Sequence, residues 1–126
     1  MIDMESRYLL FRHASESESF GDGDVIFDAG DPGDGMYVVK SGQVEVRLGD
    51  TLAVTVGEGE PFGEMALIDD EPRSGRAVAV GATELIPIGL KRFKFLVQAS
   101  PEFSLMLMRV MADRLRSMNR RVQTPS

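Results

Sequence analysis

The chain contains 126 residues, of which 43% are hydrophobic and 27% charged, and its formal net charge is −6. A chain of this length buries roughly two-thirds of its unfolded surface, which is enough for one hydrophobic core. The absence of cysteine excludes disulfides, cysteine-ligated zinc and a cysteine nucleophile, and it fits a reducing cytoplasm. No stretch has the apolar length of a signal sequence or a membrane span, so we expect one cytoplasmic domain over residues 1–126.

Short apolar runs separated by glycine-rich turns follow a short N-terminal segment, residues 1–16. Several runs alternate apolar and polar residues at period two, which is typical of strands with one buried face. We predict strands at residues 25–27, 36–39, 44–48, 52–56, 77–80 and 84–88. The regular spacing of strands and turns over residues 17–90 predicts an antiparallel sandwich or jelly roll.

Helix-forming residues replace this pattern from Lys91 onward. We predict a short helix from Arg92 to Gln98, a break at Ser100-Pro101, and a long helix from Pro101 to about Arg121. The long helix carries two apolar stripes. One is a coiled-coil-like seam, hereafter the seam, and the other faces a different direction. One stripe should pack on the sheet, and the other should meet a partner or cover a ligand. The seam consists of Met108, Met111, Leu115, Met118 and Val122, and the second stripe of Phe103, Leu107 and Val110.

The charges are distributed unevenly along the chain. Acidic residues dominate through Pro72, and most basic residues follow from Arg73 onward. Basic residues are common on exposed helix faces, whereas an acidic remainder repels nucleic-acid phosphates. We therefore expect no nucleic-acid partner.

The side chains offer little for catalysis. His13 is the single histidine and precedes the strand region, so neither a metal site nor a Ser/His/Asp triad is expected. The carboxylates of Asp69, Asp70 and Glu71 are adjacent and point apart, which is typical of a solvated turn. We predict no catalytic residue, no metal and no enzymatic activity.

The loop from Phe62 to Gly75 is the candidate ligand site. Gly63 lets the backbone approach a ligand, and a helical turn opening at Glu64 presents unpaired N–H groups that stabilise an anion. These N–H groups belong to Met65, Ala66 and Leu67.

Arg73 can supply the countercharge to such an anion, because its planar fork matches two phosphate oxygens. Ser74 adds a hydroxyl donor. Glu64 cannot face a phosphate without repulsion, so its carboxylate should accept a hydrogen bond from a sugar hydroxyl. The alternative is a surface loop in which Arg73 pairs with the carboxylates of the 69–71 turn.

The chain resembles the cyclic-nucleotide-binding domain family of catabolite activator proteins, kinase regulatory subunits and gated channels. The resemblance implies a mainly β fold with C-terminal helices. This is an antiparallel jelly roll (double-stranded β-helix) with a short phosphate-cassette helix, a hinge helix and a long C-terminal helix. It rests on Gly23-Asp24-Val25-Ile26-Phe27, Gly30-Asp31-Pro32-Gly33-Asp34, Tyr37-Val38-Val39, Ser41-Gly42, Phe62-Gly63-Glu64-Met65-Ala66-Leu67 and Pro72-Arg73-Ser74.

The resemblance also implies roles for individual residues. Glu64 would bind the ribose 2′-hydroxyl and Arg73 the cyclic phosphate, with Ser74 and the backbone of Gly63, Met65 and Ala66 completing the cassette. Further roles follow at four positions. Asp34 would orient the arginine or serve as a turn residue, Val46 would lie against the ribose or base or belong to the core, and Met118 and Asn119 would cap the base.

Many family members carry alanine at the position of Gly75, so we expect this glycine to loosen the cassette. Few residues precede the first strand, and the N-terminal helical bundle of the family therefore looks truncated.

The predicted function is that of a stand-alone regulatory module that binds cyclic AMP in preference to cyclic GMP and needs no other cofactor. Ligand binding would swing residues 91–122 about a hinge at Ala99-Ser100-Pro101. The readout would be a homodimer or a partner protein at the C-terminal helix. Two alternatives remain: a ligand-independent dimerisation module of the same fold, or the sensor fragment of a larger channel, kinase or transcription regulator.

Overall fold

The computed structural model describes residues 17–123. Five strands are followed by one short helix, a sixth strand and two further helices. The strands are β1 (Glu18–Phe20), β2 (Val25–Phe27), β3 (Gly35–Leu48), β4 (Thr51–Val56), β5 (Pro61–Phe62) and β6 (Arg76–Gly89). The helices are α1 (Met65–Asp69), α2 (Leu90–Ala99) and α3 (Pro101–Gln123). The predicted N-terminal segment 1–16, with His13, lies outside the described residues, as does the side chain of Val122.

All strand pairs are antiparallel, and β3 and β6 form the centre of the sheet. The order is β1-β6-β3-β4, with β2 also paired to β6 and β5 to β3. The prediction of an antiparallel β fold followed by C-terminal helices is therefore confirmed. Within residues 17–123, no helix combines the length and the apolar character needed to cross a membrane.

The two central strands are longer than the sequence predicted. Residues 36–39 and 44–48 belong to one strand, β3, and residues 77–80 and 84–88 to another, β6. The predicted strands leave a gap between residues 39 and 44, where the glycine-rich turn was expected at Ser41-Gly42. This turn is absent, because Gly42 has φ 91° within β3, where the pairing register shifts on both sides of Ser41. A glycine with positive φ can form a bulge inside a strand as readily as a turn between strands. β3 and β6 therefore remain paired with each other on both sides of this irregularity.

Alternation along β3 divides the core into two parts. Met36 and Val38 pack against the helices, while Tyr37 and Val39 belong to the cluster inside the sheet. The first cluster also contains Ile86, Ile88, Phe103, Met106, Leu107 and Val110, and the second contains Val44, Val56, Phe62, Ala77 and Leu85. Both clusters therefore contain residues of the same two long strands, β3 and β6.

The helix α3 buries only one of its two predicted stripes. Phe103, Leu107 and Val110 are at most 4% exposed, whereas Met108 and Leu115 of the seam are 58% and 59% exposed. The predicted break is also present: Ser100 is extended, and its Oγ accepts a hydrogen bond from the N–H of Phe103 at 3.2 Å. Ser100 therefore caps α3, which begins at Pro101 as predicted, while α2 begins two residues earlier than predicted.

Candidate functional site

The site lies in the connection between β5 and β6, which begins with Gly63. This residue has φ 81°, a conformation that side chains rarely adopt. A Cβ there would lie 2.9 Å from Nη1 of Arg73 and 3.4 Å from Cε2 of Phe27. Glycine is therefore required both for the turn and to leave room for the arginine.

The helix α1 provides fewer free N–H groups than predicted. Leu67 and Ile68 both donate to the carbonyl of Glu64, at 3.0 and 3.1 Å, so the prediction that the Leu67 N–H is unpaired is wrong. Among the described residues, the N–H groups of Met65 and Ala66 have no partner. Two donors, not three, remain at the start of α1.

The backbone of Arg73 is fixed by the loop between β2 and β3. Its N–H donates to the carbonyl of Asp31 at 2.9 Å, and its carbonyl accepts from the N–H of Gly30 at 2.8 Å. The neighbouring Arg76 adds an exposed ion pair to Asp28 on the same loop, with Nη2 and Oδ2 2.9 Å apart. The position of Arg73 is thus determined by residues some forty positions earlier in the chain.

The side chain of Arg73 is buried, with 6% of the residue exposed. Nη1 donates to the carbonyl of Gly63 at 2.7 Å and Nη2 to the carbonyl of Gly35 at 2.5 Å. The guanidinium carbon lies 4.1 Å from the centre of the Phe27 ring. The alternative of a surface arginine paired with the 69–71 turn is therefore wrong.

Asp34 does not orient Arg73 through a hydrogen bond. The orienting contacts are the two backbone carbonyls, and Asp34 itself is exposed. Burial lowers the pKa of Arg73, while Tyr37, Asp34, Asp31 and Glu64 act in the opposite direction through their charges. The predicted role of Asp34 is thus reduced to an electrostatic effect at longer range.

The guanidinium of Arg73 retains an unused donor. Its Nε is buried and has no hydrogen-bond partner among residues 17–123, and none of the ion pairs there involves Arg73. An unsatisfied buried donor costs about 1–3 kcal/mol, and more when the group is charged. A buried cation with a free N–H edge indicates a site for an anion.

Glu64 is also buried, at 2% exposed, and pairs with a residue that the sequence did not single out. Nη1 of Arg114 on α3 lies 3.1 Å from Oε1 of Glu64, and Nη2 of Arg114 donates to the carbonyl of Pro61. A signal was present in the sequence, because Arg114 follows Val110 by four residues and so continues the buried stripe of α3.

The remaining predicted residues lie at different depths. Ala66 is buried and Met65 is 56% exposed, while Ser74 is exposed beside Arg73. Val46 is half-buried against the cluster inside the sheet, opposite Ala77 and Val54. Met118 and Asn119 are exposed near the end of α3.

Gly75 is tightly enclosed, and the expectation that it loosens the cassette stays a prediction. A Cβ at this position would lie 2.5 Å from the carbonyl oxygen of Arg47 and 3.0 Å from a methyl carbon of Leu48. The lack of space for a Cβ is therefore one physical reason for a glycine at this position.

The family model of the cyclic nucleotide-binding domain matches residues 17–100, which include all of the strands, α1 and α2. The chain belongs to the cyclic nucleotide-binding domain family. The match contains both Glu64 and Arg73, and the resemblance inferred from the sequence is confirmed.

Relatives of this cyclic nucleotide-binding domain include transcription regulators and kinase subunits. The cyclic AMP receptor protein of Thermus thermophilus is 41% identical over 100 residues, which are 75% of this chain and 46% of that protein. A cAMP-dependent protein kinase regulatory subunit of Hypocrea atroviridis is 33% identical over 84 residues, covering 67% of this chain and 18% of the relative. The chain thus matches less than half the length of each of these two relatives.

Solved structures extend the likeness to the whole fold. The Thermus thermophilus catabolite activator protein has a TM-score of 0.74 at 31% identity, covering 90% of this chain and 61% of that chain. The EAL enzyme Bd1971 in its cAMP-bound form has a TM-score of 0.63 at 34% identity, covering 82% and 29%. These neighbours confirm the predicted jelly roll with C-terminal helices.

Within residues 17–123, no cluster of three potential metal ligands occurs.

Proposed function

We propose that this domain binds cyclic AMP between Arg73 and Glu64 and transmits binding through α3. The observation that supports the proposal most directly is the buried guanidinium of Arg73, whose Nε has no partner. An anionic oxygen would satisfy this donor and neutralise the charge in one step. Charge-assisted hydrogen bonds of this kind contribute about 1.5–3 kcal/mol each.

The phosphate would take its remaining donors from the start of the cassette. The N–H groups of Met65 and Ala66 and the hydroxyl of Ser74 are the candidates, because they stand on either side of Arg73 in the same loop. Three uncharged donors and one arginine suit the single negative charge of a cyclic phosphate.

Glu64 would accept a hydrogen bond from the ribose 2′-hydroxyl, and this contact suggests how binding moves α3. The Glu64 carboxylate is paired with Arg114, so a hydroxyl that donates to this carboxylate would compete with Arg114 for it. Arg114 belongs to α3, and α3 joins α2 at the break around Ser100. The ligand would shift the position of α3 only by its difference in affinity for the two arrangements.

The preference for cyclic AMP over cyclic GMP is supported by the relatives, which are named for cyclic AMP. The neighbour Bd1971 has been solved with either nucleotide, so its likeness does not favour one base. We propose that Met118 and Asn119 cover the base and that Val46 lies against the ribose or base.

We further propose that the exposed seam of α3 is the surface that a second copy covers. Met108, Leu115 and Met118 of the seam are each at least 39% exposed. Exposed apolar rows of this kind are typical of helix-to-helix association. The domain would act as a non-catalytic regulator, either alone or as the sensing part of a longer protein.

Calorimetric titration with cyclic AMP, cyclic GMP and 5′-AMP tests the proposal. We expect cyclic AMP to bind most tightly and Arg73→Lys to weaken its binding strongly, because lysine cannot form the planar fork. Arg76→Lys is the matched control, since Arg76 lies three residues away but is exposed and paired with Asp28. Ligand at 100 times its dissociation constant should stabilise the fold by about 2.7 kcal/mol.

The absence of binding by either cyclic nucleotide at submillimolar concentration would refute the proposal. In that case, with no thermal stabilisation by any cyclic nucleotide, the ligand-independent dimerisation module would be the better description.

A further inference from the structure

Phe27 lies in direct contact with the side chain of Arg73. The guanidinium carbon is 4.1 Å from the centre of the Phe27 ring, well within the distance of about 6 Å over which a cation is attracted to a ring face. Phe27 is the last residue of β2, and Arg73 reaches it from a loop 46 positions later in the chain. The contact is therefore made only by the folded domain.

The Phe27 ring is itself held by other aromatic side chains. Its centre is 6.0 Å from that of Phe62, and Phe62 in turn stacks on Tyr37 with centres 5.4 Å apart. Phe62 is 1% exposed and belongs to the core inside the sheet. The Phe27 ring is thus supported by a buried aromatic side chain, and the absence of a Cβ at Gly63 leaves the space in which the guanidinium fits.

The ring compensates a charge that lacks a direct carboxylate partner. Within residues 17–123, the hydrogen bonds of Arg73 reach two backbone carbonyls, and its Nε has no partner. Removing a cation from water is costly, and a ring face offsets part of that cost without occupying a donor. A carboxylate in the same place would neutralise the cation and use the N–H groups that an anion needs.

We infer that Phe27 is a positioning residue of this site: its ring holds the Arg73 guanidinium, before ligand arrives, in the orientation that binds the phosphate. This inference rests on the proposed function for its effect on affinity. The contact between ring and cation in the ligand-free protein does not depend on it. Leucine at position 27 would preserve an apolar side chain but provide no ring face. Tyrosine would preserve the face.

The first test is made on ligand-free protein by proton–nitrogen correlation spectroscopy of the arginine side chains. A guanidinium above a ring experiences a ring-current shift, so the Arg73 resonances should be displaced in the wild type and in Phe27→Tyr. They should return toward ordinary values in Phe27→Leu. The matched control is Phe20→Leu, because Phe20 packs against the same core cluster from β1.

The second test is calorimetric titration of the same variants with cyclic AMP. We expect Phe27→Leu to weaken binding about tenfold, as a cation–ring contact in a desolvated site implies, and Phe27→Tyr to restore most of the loss. Phe20→Leu should change affinity less than twofold, even if it lowers the melting temperature as much as Phe27→Leu does.

Two outcomes would overturn the inference. One is an Arg73 resonance that stays in place in Phe27→Leu, and the other is an equal loss of affinity in Phe27→Leu and Phe20→Leu. If the wild type fails to bind any cyclic nucleotide, the proposed function fails, and the spectroscopic comparison still decides whether the ring holds the arginine.

Discussion

Replacing Arg114 with methionine should destabilise the domain, because it removes the cationic partner of a buried carboxylate. Methionine keeps most of the aliphatic stem that packs along the helix, so the change removes mainly charge and hydrogen bonds. Glu64, whose side chain is 3% exposed in the wild type, would lose its partner, and the carbonyl of Pro61 would lose a donor.

The expected loss follows from the burial of the two side chains. Removing one partner of a fully buried ion pair costs about 3–5 kcal/mol. The Arg114 side chain is 19% exposed, so water can partly replace it. We therefore expect a loss of roughly 2–3 kcal/mol in the free energy of unfolding, or about 6–15 °C in melting temperature for a domain of this size.

A double-mutant cycle with Glu64→Gln isolates the pair. Denaturant unfolding of the two single variants and the double variant should give a coupling energy of at least about 1 kcal/mol. The control cycle uses Asp113→Asn and Arg116→Met, whose side chains are 74% and 72% exposed and 3.9 Å apart. Its coupling should stay below about 0.5 kcal/mol. Equal coupling energies in the two cycles would contradict the interpretation of Glu64 and Arg114 as a buried pair.

Three further predictions concern packing, pH and association. Gly33→Ala should lower the free energy of unfolding by about 1–3 kcal/mol, because its Cβ would lie 2.0 Å from a side-chain carbon of α1. Gly89→Ala, with nothing within 4 Å, should be tolerated, and equal thermal melts would refute the distinction. The pKa of Asp28 is lowered by its hydrogen bond to Arg76, so the stability difference between wild type and Arg76→Gln should be constant above about pH 5. This stability difference should disappear as the pH falls through the pKa of Asp28, which is lowered from 3.8. If denaturant titrations show that the difference persists at such a low pH, the Asp28–Arg76 pair is not its source. Leu115→Asp should convert a dimer to a monomer in sedimentation experiments without loss of fold, and an unchanged mass would exclude the seam as the interface.

The local features of this fold could largely be predicted from the sequence. Alternation and glycine spacing placed β2, β4 and most of β3 and β6, but not the short strands β1 and β5, and the Ser100-Pro101 dipeptide placed the helix break. The fusion of strand pairs at Gly42 could not be predicted, because a positive φ looks the same in a turn and in a bulge until the partner strand is known.

The candidate site was predicted in its residues but not in its contacts. Gly63, Glu64 and Arg73 lie in one short loop, and residue chemistry alone suggested an anion site. Glu64 has its partner on α3, and Arg73 has partners in the loop after β2 and at the start of β3, so these contacts depend on tertiary packing. Arg114 in particular lies 50 positions from Glu64, a separation over which local sequence patterns carry no information.

The Glu64–Arg114 pair also bears on where this domain ends. The family model matches the chain as far as residue 100, just before α3 begins. A fragment cut at that boundary would contain every strand, the cassette and Arg73, but Glu64 would be left without its cationic partner. The segment that the family model matches is therefore shorter than the segment that contains both members of the Glu64–Arg114 pair. Boundaries for a recombinant domain or a transplanted sensor should be drawn beyond position 114.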